Sequence, residues 1–318
     1  MKIVFLDSAT LGNDLTYKTF EEFGEVKVYG ITKASQVAER IVDAEVVIIN
    51  KIKLNRDNLK NAKSLKLICI SATGFDNVEL SYCKERHIAV CNVVGYSSQC
   101  VAQVTVSMAL SLITHLSEYR SFVSDGSYTA RGIPNVLTPV YHEIYGKTWG
   151  IIGFGNIGNQ VGRVAEALGC RVLVNKRTPI DGWSCVDLDT VCRRSDILSI
   201  HTPLNDETRN LLDEQHISML KRDAIVINVA RGAVTDEAAL ANAILQGRIG
   251  ALGVDVFSTE PFPEDHPFQQ IKHFPNVCLT PHMAWGGYET RVRLMNEMAE
   301  NIRSYLAGGK RNRIDQSL

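Results

Sequence analysis

Three segments in the last third of the chain place chemically active side chains directly after short apolar runs. Arg231 follows such a run in "INVARGAV", Asp255 and Glu260 lie in "ALGVDVFSTEP", and His282 lies in "LTPHMAW". Because ligands of open α/β sheets lie beyond the carboxyl ends of the strands, we expect these side chains to face one ligand. A cation, a carboxylate and an imidazole are together suited to acid–base chemistry on an anionic substrate.

Reduction of a 2-keto acid needs these groups. A guanidinium anchors the substrate carboxylate through paired hydrogen bonds, a nicotinamide supplies the hydride, and a histidine supplies the proton for the new hydroxyl. A carboxylate beside a histidine favours its protonated form and fixes its orientation. The alternatives stay open: Arg231 as a surface residue at a helix start, Glu260 as an exposed loop acid, and His282 as a structural histidine.

A GxGxxG motif lies in "TWGIIGFGNIGNQVGRVAEALG", residues 148–169. An apolar strand precedes it and another, "RVLVN", follows the intervening helix, which is the setting in which the motif binds a dinucleotide. Gly153 would permit the tight turn, Gly155 the close approach of the pyrophosphate, and Gly158 close helix–strand packing. A glycine-rich turn without a ligand is the alternative. The apolar face predicted for the helix comprises Ile157, Val161, Val164, Ala165 and Leu168.

The segment "VNKRTP", residues 174–179, holds the place at which an acidic residue usually binds the ribose of NAD. Lys176, Arg177 and Thr178 stand there instead. Cations complement a 2′-phosphate, and the missing carboxylate removes a repulsion. We therefore predict that the pocket takes NAD(P), with NADP favoured over NAD; the alternative is that both basic side chains face solvent.

Apolar, β-branched runs alternate with amphipathic stretches along nearly the whole chain. The runs are nearly continuous, which is typical of strands buried on both faces of a parallel sheet. The predicted strands lie in "KIVFL", "VKVY", "EVVIIN", "LKLICI" and "AVCNV", and then in "TWGIIG", "RVLVN", "DILSIHT", "AIVINVA", "ALGVDV" and "VCLTP". This order predicts α/β domains.

Two longer stretches predict helices. Residues 99–122, "QCVAQVTVSMALSLITHLSEYRSF", predict one long apolar helix without a strand partner, either at a subunit interface or in the core of one domain. The final stretch, "GGYETRVRLMNEMAENIRSYLAGG", predicts a helix that ends at Gly308 and Gly309.

Composition narrows the function classes. The chain has 318 residues, 45% hydrophobic and 22% charged, with a formal net charge of -1, so nothing favours a nucleic-acid or membrane partner. The N-terminal apolar run is too short for a signal sequence. The eight cysteines form no CxxC pair. We expect reduced cysteines, no metal site and a cytoplasmic location.

Several motifs together resemble the D-isomer-specific 2-hydroxyacid dehydrogenase family over almost the whole chain. They are "SATGFDNVEL", "CNVVGYSSQCVAQ", "GKTWGIIGFGNIG", "SIHTPLNDETRNLL", "INVARGAVTDEAAL", "ALGVDVFSTEP" and "LTPHMAW". Within the family, "INKIKL", "ATGFDNV", "KRTP" and "PHMAWGGYETRVRLM" are most similar to bacterial glycerate dehydrogenases (hydroxypyruvate reductases).

The resemblance implies a role for each matching residue. Arg231 would bind the substrate carboxylate and carbonyl, His282 would be the general acid in reduction and the base in oxidation, and Glu260 would pair with His282. Lys51, Thr73, Gly74 and Trp285 would contact the substrate, although a solvated loop lysine and a packed indole are the alternatives. The implied cofactor contacts are Thr73, Asn156, Ile157, Thr202, Val229, Ala230, Asp255, His282 and Ala284, beside the glycines and the "KRT" residues.

The resemblance also implies an architecture of two Rossmann-like, doubly wound parallel-sheet domains. A flavodoxin-like substrate domain, 1–98 plus 287–318, would be interrupted by an NAD(P)-binding domain, 99–286. We expect a homodimer that reduces hydroxypyruvate or glyoxylate. Two alternatives remain: a dehydrogenase for a bulkier D-2-hydroxy acid of the isocaproate type, and a non-catalytic, dinucleotide-sensing corepressor, since fold does not fix function.

Overall fold

The computed structural model of the chain describes residues 1–316; Ser317 and Leu318, at the end of the predicted substrate domain, lie outside the described residues. The described chain forms two compact units. Unit 1 comprises Met1–Ser97 together with the segment that begins at Gly286, and unit 2 comprises Ser98–Trp285. Each unit contains one parallel sheet with helices, which confirms the predicted α/β class.

The first part of unit 1 alternates short strands and short helices. Its elements are β1 (Lys2–Phe5), β2 (Glu25–Val28), α1 (Val37–Arg40), β3 (Val46–Ile49), α2 (Arg56–Leu59), β4 (Leu67–Ile70), α3 (Leu80–Glu85) and β5 (Ala89–Cys91). The five strands pair in parallel in the order β2-β1-β3-β4-β5. This is the flavodoxin-like order, in which the chain reverses direction across the sheet between β1 and β3. Buried residues of β3 and β4 form much of the core.

Unit 2 begins with three helices and continues with alternating strands and helices. Its elements are α4 (Ser98–Ile113), α5 (Leu116–Ser124), α6 (Ser127–Arg131), β6 (Thr148–Ile152), α7 (Asn156–Ala167), β7 (Arg171–Asn175), β8 (Ser184–Cys185), α8 (Leu188–Arg194), β9 (Ile197–Ile200), α9 (Glu214–Ser218), β10 (Ile225–Asn228), α10 (Glu237–Leu245), β11 (Ala251–Val254) and β12 (Val277–Leu279). Strand β8 has only two residues and was not predicted.

The seven strands of unit 2 pair in the order β12-β11-β10-β9-β6-β7-β8, all in parallel. Successive strand residues point to opposite faces, so Ile225 and Ile227 pack into one apolar cluster and Val226 into another. Both faces of the sheet are therefore covered. The nearly continuous apolar runs follow from this double burial.

The single long helix predicted over residues 99–122 is wrong, because α4 and α5 are separate helices that meet at 65°. His115, between them, has φ 51°, a left-handed conformation that ends α4. Helix α4 packs on α7 and on β10 and β11, with Val101, Met108 and Leu112 buried. It is thus a core helix of unit 2. Within residues 1–316 no single helix reaches the length and apolarity of a membrane span, and only α4 and α5 taken together, despite their bend, would.

The apolar face predicted for α7 is also partly wrong. Val161 and Ala165 are buried as expected, together with Gly158 and Gly162, but Val164 is 39% exposed. The buried side of α7 is therefore rotated toward the two glycines, which allow the helix to approach its neighbours closely.

The chain ends in unit 1 with α11 (Tyr288–Leu306), and Gly308 at φ 78° follows it. The helix buries Leu294, Met298 and Ile302. Asn301 adds a hydrogen bond from its side-chain amide to the carbonyl of Asn92, at 2.9 Å. The final helix therefore belongs to the core of unit 1, and its predicted end at Gly308 and Gly309 is confirmed.

Candidate active site

Unit 2 carries Arg231, Glu260 and His282 at one edge of its sheet. Strands β10, β11 and β12 are adjacent and parallel, and each of these residues follows the carboxyl end of one of them. In a parallel sheet, the loops that follow adjacent strands lie side by side. The three residues are therefore neighbours in space, although they lie up to 51 positions apart in the chain. The three residues predicted to act on the substrate therefore lie at the same edge of the sheet.

His282 and Glu260 are in direct contact. The ring Nδ1 of His282 lies 2.7 Å from Oε2 and 2.9 Å from Oε1 of Glu260. Oε1 also accepts the backbone N–H of Phe257, at 3.1 Å. The His282 and Glu260 side chains are 22% and 28% exposed. A carboxylate can only accept here, so Nδ1 carries its proton and the orientation of the ring is defined.

Asp255 holds the turn that carries His282. Its carboxylate accepts the Thr280 hydroxyl at 2.5 Å and the backbone N–H groups of Met283 and Ala284 at 2.8 and 2.9 Å. Between these anchors His282 adopts φ 52°, a conformation that is unfavourable for a residue with a side chain. Asp255, expected to line the cofactor pocket, thus directs its buried carboxylate to the 280–284 turn.

Arg231 lies in a turn held by Asn228, a residue without a predicted role. Asn228, the last residue of β10, donates its side-chain N–H to the carbonyl of Arg231 and accepts the N–H of Ala230, both at 3.0 Å. The guanidinium of Arg231 donates to the carbonyl of Ala230 at 2.7 Å. An asparagine at the end of an apolar run, as in "INVARG", was the available signal.

The three glycines of the GxGxxG motif lie in three different backbone environments. Gly153 has φ 84°, and a Cβ there would lie 2.6 Å from the backbone nitrogen of Thr202. A Cβ on Gly158 would lie 2.3 Å from the carbonyl oxygen of Gly153. A Cβ on Gly155 would meet nothing within 4 Å. The turn therefore leaves open space at the N-terminus of α7, where a pyrophosphate can approach backbone N–H groups.

Asn156 and Ile157 begin α7 at this turn. Lys176, Arg177 and Thr178 follow β7 at the same edge, and all three are exposed. The Arg177 guanidinium donates to Oε2 of Glu207 at 2.8 Å, with the two side chains 86% and 69% exposed. An ion pair as exposed as this one contributes little stability.

Other expected cofactor contacts also follow strands of unit 2. Thr202 comes after β9, Val229 after β10 and Ala284 after β12. Val229 and Ala284 are buried in the apolar cluster of the sheet, and Trp285 is half-buried against the same cluster. The indole of Trp285 is therefore at least partly a packing residue.

The expected substrate contacts of unit 1 lie on two loops. Lys51 is exposed, and its backbone N–H donates to the buried Asp7 carboxylate at 2.6 Å. Thr73 donates its hydroxyl to the carbonyl of Val93 at 2.8 Å, and Gly74 follows it. Lys51 therefore lies in the loop after β3, and Thr73 and Gly74 lie in the loop after β4, both in unit 1.

Comparison with known proteins identifies the family. Residues 106–284, more than half of the chain, match the model of the D-isomer specific 2-hydroxyacid dehydrogenase, NAD binding domain. The chain belongs to this family. It is 36% identical to a glycerate dehydrogenase of Methylorubrum extorquens, over 99% of both chains, and 32% identical to a hydroxypyruvate reductase of Blautia hydrogenotrophica, over 99% of this chain and 100% of that protein.

A solved structure shares the architecture of the dehydrogenase. An acyclic imino acid reductase in complex with NADPH and D-Arg superposes with a TM-score of 0.87 at 30% identity, covering 99% of this chain and 100% of that one. The family model and this likeness both support a nicotinamide cofactor. The open turn at Gly155 and the N-terminus of α7 fit its pyrophosphate. The dehydrogenase is thus an oxidoreductase, and the corepressor alternative falls away.

No group of three or more histidine, cysteine or acidic side chains among residues 1–316 of the dehydrogenase could hold a metal ion. All eight cysteines lie within these residues and carry free thiols, five of them buried. Burial raises the pKa of the Cys192 thiol to about 12, so this thiol stays protonated.

Proposed function

We propose that this dehydrogenase reduces small 2-keto acids, hydroxypyruvate or glyoxylate, to D-glycerate or glycolate. The observation that carries the proposal is the 2.7 Å contact between His282 and Glu260, on the strand edge that also carries Arg231. Arg231 would anchor the carboxylate and polarise the carbonyl, His282 would supply the proton for the alkoxide, and Glu260 would orient His282.

Each residue then has one task. The guanidinium of Arg231 binds the substrate carboxylate through paired hydrogen bonds. His282, with Nδ1 donating to Glu260, exchanges its proton with the substrate oxygen through Nε2. Glu260 keeps the ring in this tautomer and stabilises the imidazolium. The bound nicotinamide supplies the hydride. In the oxidative direction His282 is the base.

Preference for a small substrate is supported by the names of the two curated relatives, a glycerate dehydrogenase and a hydroxypyruvate reductase. The indole of Trp285, which is half-buried against the apolar cluster of unit 2, would add to this preference because its bulk would narrow the pocket. The Thr73–Gly74 backbone on unit 1 is proposed to hold the substrate carboxylate, and Lys51 is proposed to face the substrate. Unit 1 would then serve as the substrate domain and unit 2 as the cofactor domain.

For the cofactor, we propose NADPH over NADH. Lys176, Arg177 and Thr178 follow β7 and are exposed, and no carboxylate occupies these three positions. Because the Arg177–Glu207 pair is solvated, Arg177 can turn toward a 2′-phosphate with little loss of stability. The proposal includes cofactor contacts at Thr73, Asn156, Ile157, Thr202, Val229, Ala230, Asp255, His282 and Ala284, and extends to a cytoplasmic homodimer.

The test is a matrix of keto acids against NADPH and NADH. We expect the highest kcat/KM for hydroxypyruvate or glyoxylate with NADPH. Faster turnover of branched keto acids would favour the bulky-substrate alternative, and a strong NADH preference would contradict the cofactor proposal.

The same assay tests the general acid. A His282→Ala variant should lose reduction by about 10²-fold or more, while His273→Ala, at an exposed histidine of the same unit, should not. Equal rates in the His282→Ala and wild-type proteins would overturn the mechanism.

A further inference from the structure

Glu237 and His266 form a buried pair outside the predicted site residues. Glu237 is the first residue of α10, and its Oε2 lies 3.1 Å from Nε2 of His266. The His266 and Glu237 side chains are only 5% and 10% exposed. Charged groups are rarely buried to this extent unless their hydrogen bonds are satisfied.

The hydrogen bonds define the state of the His266 ring. Its Nδ1 accepts the backbone N–H of Phe268 at 3.2 Å, so the proton of the neutral ring is on Nε2 and is donated to Glu237. The ring centroid lies 5.0 Å from those of Phe262 and Phe268 and 6.1 Å from that of Phe257. The imidazole is therefore fixed in position by aromatic packing and by both of its nitrogens.

The Glu237 carboxylate has a second set of donors. It accepts the backbone N–H of Ser258 at 2.9 Å and also the Ser258 hydroxyl. Ser258 and His266 are the two ends of the loop 258–266. A single carboxylate at the N-terminus of α10, where the helix dipole favours negative charge, thus ties both ends of this loop together.

The loop 258–266 carries Glu260, and its base also contacts the turn of Arg231. The backbone N–H of Phe257 donates to Glu260, which faces His282. A Cβ on Gly232 would lie 2.1 Å from the carbonyl carbon of Phe257 and from the nitrogen of Ser258, so the Arg231–Gly232 backbone is in close contact with the loop base. The same few atoms therefore support two of the active-site groups.

We propose that Glu237 and His266 are positioning residues of the active site, which hold the loop 258–266 so that Glu260 stays on His282. The inference rests on the proposed function in so far as Glu260 and His282 are catalytic. Neither Glu237 nor His266 is among the proposed substrate contacts. Their effect reaches the reaction through the position of Glu260.

The test uses the Glu237→Gln variant of the whole chain. The glutamine keeps the size of the side chain, but one of its two accepting oxygens becomes an NH₂ group, so the contacts with Ser258 and His266 cannot all be kept. We expect kcat for hydroxypyruvate reduction to fall on the order of 10- to 100-fold, as for displacement of a catalytic group by about 1 Å. KM for NADPH should not change, because the contacts of Glu237 do not include the β6–α7 turn. Glu264→Gln, at an exposed carboxylate of the same loop, is the matched control and should behave as the wild type.

A double-mutant cycle separates positioning from general destabilisation. If Glu237 acts through Glu260, then Glu237→Gln should add little further loss in a Glu260→Gln background. Losses that multiply in full would overturn the inference. His266→Phe, which suits the aromatic surroundings, provides a second variant with the same expectation should Glu237→Gln fail to fold.

Hydrogen exchange tests the inference without the reaction. In Glu237→Gln, amides of residues 257–266 should exchange faster than in the wild type, with other regions of unit 2 unchanged. Unchanged exchange in this loop would overturn the inference even with an active enzyme. If the wild type reduced no keto acid, the proposed function would fail, and the exchange experiment would still decide whether Glu237 holds the loop.

Discussion

His201 illustrates how burial at a single residue sets a pH dependence. Its Nε2 lies 3.0 Å from the hydroxyl oxygen of Ser199, which accepts the indole N–H of Trp149 at 2.9 Å. Within the described residues the buried Nδ1 has no hydrogen-bond partner. Burial lowers the pKa of His201 to about 3. The folded protein therefore keeps this ring neutral at pH values where an unfolded chain would protonate it.

The sign of the effect on stability follows from proton binding. Between the unfolded value of 6.5 and the folded value of about 3, the unfolded chain binds a proton that the folded chain does not. His201 should therefore lower the free energy of unfolding by about 1.4 kcal/mol per pH unit as the pH falls below 6.5. Urea unfolding at several pH values would measure this slope. His201→Gln should flatten it and His273→Gln should not; identical slopes in all three proteins would contradict the prediction.

At the residue scale, the sequence predicted which groups end the strands but not how they are held. Arg231, Glu260 and His282 could be found because an apolar run ending in a polar side chain is a local pattern. The contacts of Asp255 with the 280–284 turn could not be predicted, because they depend on the conformation of a loop 25 to 29 positions away. The pairing of Glu237 with His266 could not be predicted for the same reason, because the two residues are 29 positions apart and no local sequence pattern connects them.

Gly155, in the β6–α7 turn, and Gly158, in the first turn of α7, offer a paired test at the element scale. In Gly158→Ala the added methyl would stand 2.3 Å from the Gly153 carbonyl oxygen, so helix and strand must separate. We expect a loss of roughly 1–3 kcal/mol in the free energy of unfolding, as for an overpacked core. In Gly155→Ala the methyl meets no atom within 4 Å and φ is -87°, so stability should stay near that of the wild type.

The affinity for NADPH provides a second test of the Gly155→Ala variant. The Gly155 methyl would occupy the space proposed for the pyrophosphate, so Gly155→Ala should weaken NADPH binding despite its stable fold. Denaturant unfolding and fluorescence titration with NADPH would measure the two effects. A Gly155→Ala protein that binds NADPH as tightly as the wild type would argue against a pyrophosphate at this turn.

Helices and strands as elements were largely predictable, since their hydrophobic periodicity is strong. The separation of α4 from α5 was not, because residues 99–122 are apolar throughout most of their length and contain no glycine or proline. The break depends on the left-handed conformation of His115, whose ring Nδ1 lies 2.7 Å from Glu118 Oε1. The exposure of Val164 on α7 was missed because the two glycines, rather than the apolar residues, set the direction of close packing.

At the scale of the whole molecule, alternating strand and helix patterns were sufficient to predict parallel sheets, because short apolar strands separated by helices pair in parallel. Sheet order and the membership of α11 in unit 1 are long-range properties. They rest on pairings such as Asn301 with Asn92, 209 positions apart, for which a single sequence carries no local signal. The family resemblance, and not periodicity, supplied those expectations.

The net charge of the whole chain bears on how ionic strength should affect cofactor binding. A formal net charge of -1 gives no general attraction for an anionic cofactor. Any charge preference for NADPH must then come from Lys176 and Arg177, which are exposed and open to screening. We therefore expect KM for NADPH to rise with ionic strength more steeply than KM for NADH. In Lys176→Asp the preference for NADPH should fall and the two salt dependences should converge. Parallel salt dependences in the wild type would show that the 2′-phosphate is not bound by these cations.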